Sequence, residues 1–162
     1  MIIKSFEIEK LSSYDFNLHL IYGNNEGIKE DIIKNNYLKH FNGEVLKYEE
    51  QEILNSKDEF ISSLLTKSLF ETSKLIIISR CSDKLTNLVA EILENEIIET
   101  KIIIKSSNLE KKSKLRNLFE KEKKVVCTPV YEDDNRSLNS VINIFLREQN
   151  FNLSQEIKNI LI

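Results

Sequence analysis

Glycine and proline are scarce: the chain has three glycines and one proline in 162 residues. That leaves little room for a low-complexity linker. Gly23, Gly27 and Gly43 also lack the G-x-G-x-x-G spacing of a dinucleotide-binding loop. Cysteine and histidine are sparse too. Cys81 and Cys127 lie far apart, and neither His19 nor His40 has a Cys or carboxylate at ligand spacing. This argues against a zinc site or a disulfide framework and fits a reducing compartment. Apolar runs such as "LIII" fall far short of a membrane span. The opening "MIIKSFEIEKLSSYDF" is too interrupted by charge for a signal peptide. A cytoplasmic protein without membrane contact is expected. Strong charge of one sign is missing as well: the net charge of −3 gives no global drive towards nucleic acid or anionic lipid.

What is present is an ordinary globular balance, 41% hydrophobic and 30% charged, enough for a sizeable core. Four apolar runs read as buried strands: "LHLIYG" from Leu18, "LIIIS" from Leu75, "KIIIKSS" from Lys101 and "VVCTPV" from Val125. "GEVLKYE" from Gly43 is a weaker fifth. Helical periodicity links them. Ile28, Ile32, Ile33 and Tyr37 mark one helix, and Phe60, Ile61, Leu64 and Leu65 a second, opened by Ser56-Lys57-Asp58-Glu59 with capping-box spacing. Leu85, Leu88, Val89, Ile92 and Leu93 mark a third. Leu115, Leu118 and Phe119 mark a fourth, opened by Ser107-Asn108-Leu109-Glu110. Strands alternating with helices predict an α/β fold with a mainly parallel sheet and helices on both faces. After Val130 no strand run remains, and Leu138, Val141, Ile142 and Phe145 begin purely helical sequence. A domain spanning 1–133 is expected, followed at 134–162 by the start of a helical unit belonging to a longer protein.

Chemistry is thin. The turn after the first strand, "YGNNEGIKED", sits where a phosphate loop would. It has Gly23, Gly27 and Lys29, but Ile28-Lys29-Glu30 stands in place of Gly-Lys-Ser/Thr, and the hydroxyl position carries an acid. Nucleotide is not expected to bind there. The "LIIIS" strand ends in Ser79-Arg80-Cys81, where a hydrolase of this architecture carries an acid for magnesium. "YEDDNRSL" is explained by Asp134 or Asn135 capping the next helix rather than by a metal. No cofactor, metal or catalytic residue is expected. A basic stretch, "NLEKKSKLRNLFEKEKK", offers Lys111, Lys112, Lys114 and Arg116 as contacts for DNA or an acidic partner, or as a solvated helix face.

Leu69 and Phe70 stand out as adjacent large apolar residues in a polar connector, just before a strand. If the helix opened at Ser56 continues, at roughly 100° per residue Phe70 points about 150° away from the core stripe. If it breaks near Thr66, both residues can fold under the sheet. Display and burial both remain open. A displayed Leu-Phe pair would make a good anchor for a deep apolar pocket on a partner.

Four stretches in order, "LIYGNNEGIKEDI", "SLFETSKLIIIS", "NLEKKSKLRNLFEK" and "YEDDNRSLNSVI", resemble the delta subunit of the bacterial DNA polymerase III clamp loader, over that family's first domain and the beginning of its second. The resemblance implies an AAA+-like, RecA-type module without working Walker motifs, followed by a truncated lid. It implies that Leu69 and Phe70, preceded by Ser68, enter a hydrophobic pocket of the ring-shaped sliding clamp, the beta subunit, to open it for loading onto primed DNA. Other clamp-loader subunits would hydrolyse ATP and complete a hetero-oligomer, touching DNA only indirectly or weakly. The chain would belong to a DNA-directed DNA polymerase, a nucleotidyltransferase, without catalysis of its own. In related subunits a Ser-Arg-Cys triplet carries an arginine finger, but after a later strand, so Ser79-Arg80-Cys81 reads as coincidence. Two other readings stand beside this one: a divergent nucleotide-binding α/β enzyme using the loop at Gly23, and a DNA-binding module using the Lys111–Lys124 helix.

Overall fold

A computed structural model describes residues 1–5, 7–8, 16–65, 73–95 and 100–161. Ser68, Leu69 and Phe70 lie outside the described residues. The four apolar runs form strands β1 (Leu18–Gly23), β3 (Lys74–Cys81), β4 (Thr100–Ser106) and β5 (Val125–Val130), and the weaker fifth forms β2 (Glu44–Glu49). All pair in parallel, in the order β2-β3-β4-β1-β5. The fold is α/β, built on a wholly parallel five-stranded sheet.

Burial explains which strands were plain to read. Every residue of β1 and β5 is buried, and Ile102, Ile103 and Ile104 of β4 are at or below 1% exposure. Each leucine, isoleucine or valine among them withdrawn from water contributes roughly 1.5–3 kcal/mol. Strand β2 is at the sheet edge and only half covered, with Val45 exposed and Leu46 and Tyr48 turned to the core.

The helices are α1 (Glu26–Ile33), α2 (Glu50–Asn55), α3 (Lys57–Leu65), α4 (Thr86–Glu94) and α5 (Lys114–Lys121). One face of the sheet packs Leu20, Ile78 and Ile104 against Ile53 of α2, Phe60 of α3, Val89 of α4 and Phe119 of α5. The opposite face packs Ile21, Ile77 and Ile103 against Ile32 and Ile33 of α1 and Tyr37 of the π-helical turn Lys34–Leu38 that prolongs it. Helices therefore lie on both faces.

Two local expectations change. Helix α2 was not anticipated: its capping box is built by Glu49 and Glu52 rather than by Ser or Thr, and Ile53 is its one buried residue. Helix α5 starts at Lys114, not after Ser107. Its cap is Ser113, whose hydroxyl oxygen accepts from Arg116 N–H at 3.2 Å. Lys111 and Lys112 therefore sit in a turn ahead of the helix.

Strand β5 is an edge partly closed from outside. Ile3 N–H donates to Cys127 O and Cys127 N–H to Met1 O, both at 2.9 Å. Pro129 lies two residues beyond Cys127, so its missing donor also falls on the outer side, where the β1 ladder does not need it.

His19 is 1% exposed on β1, held between Tyr37 and Thr128. Burial pushes the Tyr37 hydroxyl up, so it keeps its proton and donates to Nδ1. Nε2–H then donates to Thr128 Oγ1 at 2.7 Å. This is a satisfied core histidine.

Contacts divide the chain into Met1–Val130 and Tyr131–Ile162. The second unit holds α6 (Asn135–Glu148) and α7 (Gln155–Leu161). Asp134 caps α6: its Oδ1 accepts from Ser137 N–H at 2.8 Å, and Ser137 Oγ accepts from Asp134 N–H at 2.9 Å. Lys158 Nζ donates to Asn143 Oδ1 at 2.8 Å, joining α7 to α6. Among the described residues no helix is long and apolar enough to cross a membrane.

Burial pulls His19 from 6.5 down to about 3. Between these values the unfolded chain binds a proton that the folded chain refuses, so folding stability falls as pH is lowered. The loss should approach 1.4 kcal/mol, roughly, per pH unit. Urea unfolding at pH 7 and pH 5 should show wild type losing stability more steeply than His19→Gln. Equal slopes would refute the assignment of a neutral buried imidazole.

Candidate functional site at the carboxyl end of the sheet

Open parallel sheets bind ligands outside the carboxyl ends of their strands. Here four connections meet at that end, following β1, β2, β3 and β4.

The corner after β1 is tight. Only Asn24 and Asn25 separate Gly23 from the first residue of α1. Asn25 is the N-cap, its Oδ1 accepting from Ile28 N–H at 3.1 Å. So short a connection does not wrap around a phosphate chain. Gly23 is obligatory for another reason: its φ is +135°, and a Cβ there would lie 1.7 Å from Val130 O. The glycine lets β1 and β5 approach, whereas at Gly27 a Cβ would make only ordinary contact, 3.5 Å from Asn25 Oδ1.

Lys29 is 1% exposed. Its ammonium donates to Gly23 O at 2.7 Å, to Ser106 O at 3.0 Å and to Glu26 Oε1 at 2.5 Å. An ammonium has three hydrogens, and here three acceptors of the chain itself take them. The structure thus brings Gly23 and Lys29 together, as a lysine joining β1, β4 and α1. Beside it Lys105 Nζ pairs with Glu30 and lies 3.9 Å from Glu26 Oε2.

The end of β3 carries a bulge, with Arg80 at φ +58°. Its side chain is 79% exposed and meets Glu49 at 3.0 Å, a surface pair of small energetic weight. Cys81 is buried, donates to Ile78 O, and burial pushes its thiol up, which keeps it unreactive. Burial likewise pushes Cys127 up to about 12. Glu50, the first residue of α2, accepts from Ser82 N–H at 2.6 Å and from its hydroxyl.

Asp83 ties the β3 connection to α5. Its Oδ1 accepts from the Ser113 hydroxyl at 2.5 Å and from Leu115 N–H at 3.1 Å. The hydroxyl bond is the first cause holding its carboxyl below the usual range. The basic residues divide into two kinds. Lys111, Lys112 and Lys114 are exposed, and Lys112 pairs with Glu110 at 3.0 Å. Arg116 is engaged inside the fold: it donates to Glu120 at 2.7 Å and to Leu109 O at 3.1 Å, and lies 5.2 Å over the Tyr22 ring. The Glu120 bond raises its pKa further.

Among the described residues no group of three metal-binding side chains gathers. Glu26 and Asp83 were missed by sequence reasoning. The i, i+3 spacing of Glu26 and Lys29 was a usable signal; nothing local to Asp83 points to α5.

No family model matches the chain, and no curated protein matches it. Among solved structures it is similar to AMPPCP-bound DnaA from Aquifex aeolicus, at 18% identity and a TM-score of 0.50, over 94% of this chain and 53% of that one. A crystal structure of a DNA replication initiation factor gives 17% identity and a TM-score of 0.49, over 94% and 52%. The chain spans about half the length of these structures. At such identity the DnaA likeness establishes the fold alone: a five-stranded parallel sheet covered by helices, as in AAA+ modules.

Gly23→Ala places a methyl group on a backbone carbonyl at a φ that alanine rarely adopts. It should destabilise the chain by at least about 3 kcal/mol, whereas Gly27→Ala should be neutral or stabilising in the same denaturant melt. Comparable losses at both positions would contradict the packing described.

Proposed function

We propose that this chain is the nucleotide-free, clamp-binding module of a delta-type clamp-loader subunit, acting in DNA replication. The observation that carries the reading is Lys29. In an AAA+-like fold the lysine at the β1–α1 corner is free to meet phosphates, whereas here the protein's own carbonyls and Glu26 occupy it. A module of this fold whose nucleotide corner is taken suits work by contact rather than by hydrolysis. The sequence resemblance supplies the contact: Ser68, Leu69 and Phe70, which lie between Leu65 and Lys74 in the sequence.

The mechanism is differential binding. A partner opens a ring only by holding the open form more tightly than the closed one. Two apolar side chains entering a pocket supply a few kcal/mol, approximately, by buried area. That biases an interface under strain, while ATP-driven steps belong to sister subunits of the hetero-oligomer. Residues 134–162 would begin the helical lid.

The test is a calorimetric titration of the chain against the sliding clamp of its own organism, with Leu69→Ala/Phe70→Ala as the variant and circular dichroism to confirm its fold. Wild type should bind, and the double variant should lose more than about 2 kcal/mol, roughly thirty-fold in Kd. Absent binding, or binding indifferent to the substitutions, would overturn the reading.

A second reading, direct DNA contact, is favoured by the exposure of Lys111 and Lys112 in the turn before α5 and of Lys114 at its start. Arg116, bound internally, is not among its contacts. If these lysines meet phosphates, their joint replacement by alanine should flatten the slope of log affinity against log salt by about 3. An unchanged slope would leave them as solvated surface.

A further inference from the structure

The carboxylate of Glu26 lies where two ammonium groups from different elements converge. Lys29 Nζ, on a residue 1% exposed, is 2.5 Å from Oε1. Lys105 Nζ, on β4 with a side chain 14% exposed, is 3.9 Å from Oε2. Glu26 is also the first residue of α1, so the positive end of the helix dipole adds to the field it meets. Glu30 faces the same region but pairs with Lys105. Of the acceptors that Lys29 reaches among the described residues, the two carbonyls are neutral, and Glu26 brings the formal negative charge to the buried cation. A buried ammonium without a counter-charge is strongly disfavoured.

The geometry points to Glu26 as a built-in anion: it fills a seat formed by Lys29, Lys105 and the start of α1, and so holds the β1–β4–α1 corner closed without any external phosphate. Removing the carboxylate should leave a vacant seat for a small multivalent oxyanion. The wild-type chain should have none. This inference concerns the same Lys29 corner on which the proposed function draws, but its test reads anion-dependent stability and not clamp binding, so the failure of one is distinguishable from the failure of the other.

The experiment is thermal unfolding of the 162-residue chain in millimolar inorganic phosphate or pyrophosphate, against sodium chloride at equal ionic strength. Wild type should melt at the same temperature in each. Glu26→Ala, an exposed position at which folding is expected to survive, should melt lower in chloride. It should recover by roughly 3 °C or more in phosphate or pyrophosphate, as mass action requires of an anion that binds only the folded form. Glu26→Ala combined with Lys29→Met, which removes the buried cation as well, should not respond to either anion. The inference is overturned if Glu26→Ala melts with wild type, if its loss is not restored by either anion, or if the double variant recovers equally.

Discussion

The ammonium of Lys29 reaches the last carbonyls of β1 and β4 and the first side chain of α1, and the closure of the sheet over its centre depends on that group being satisfied. Taking a lysine head out of water is expensive unless its hydrogens and its charge are both matched. Here the carbonyls match the hydrogens and Glu26 matches the charge. The same crossing carries Gly23, whose missing side chain lets Val130 O approach. Strands β4, β1 and β5 thus converge on one small volume in which almost every polar atom is assigned by the chain itself.

The pattern extends along the carboxyl end of the sheet. The start of α5 receives Asp83 from the β3 connection, the β3 connection receives Glu50 from α2, and the start of α1 receives Asn25. Helix starts at this end of a parallel sheet are where anions usually gather. In this chain carboxylates and an amide already occupy them. The outcome is a sheet end whose helix starts are tied to neighbouring segments by side chains of the chain itself.

Much of this was legible in the sequence, and the exceptions share a cause. Strands β1, β3, β4 and β5 are unbroken apolar runs because both faces are covered. Strand β2 read weakly because it is a half-covered edge. Helix α2 was invisible: one buried residue, Ile53, sets no period, and its cap is a glutamate. The start of α5 was misplaced because Ser107–Glu110 has the right local spacing, while the decisive partner, Asp83, comes from a distant segment. Lys29 sits in a polar stretch that reads as solvated, and its burial follows from strand order, which no local pattern encodes. Its pairing with Glu26 was within reach of spacing alone.

The strand order also sets a timetable. Leu18 of β1 pairs with Ile102 on one side and Val125 on the other, so both neighbours of the first strand come from the second half of the chain. On a ribosome β1 emerges first and is seated late. Strands β2, β3 and β4, each beside the next in sequence and in space, can assemble while β1 waits with its apolar face in water. Only when Ser106 has emerged does Lys29 find its second carbonyl. The seating of β1 between β4 and β5 thus joins segments far apart in sequence, a non-local step of the kind that slows folding.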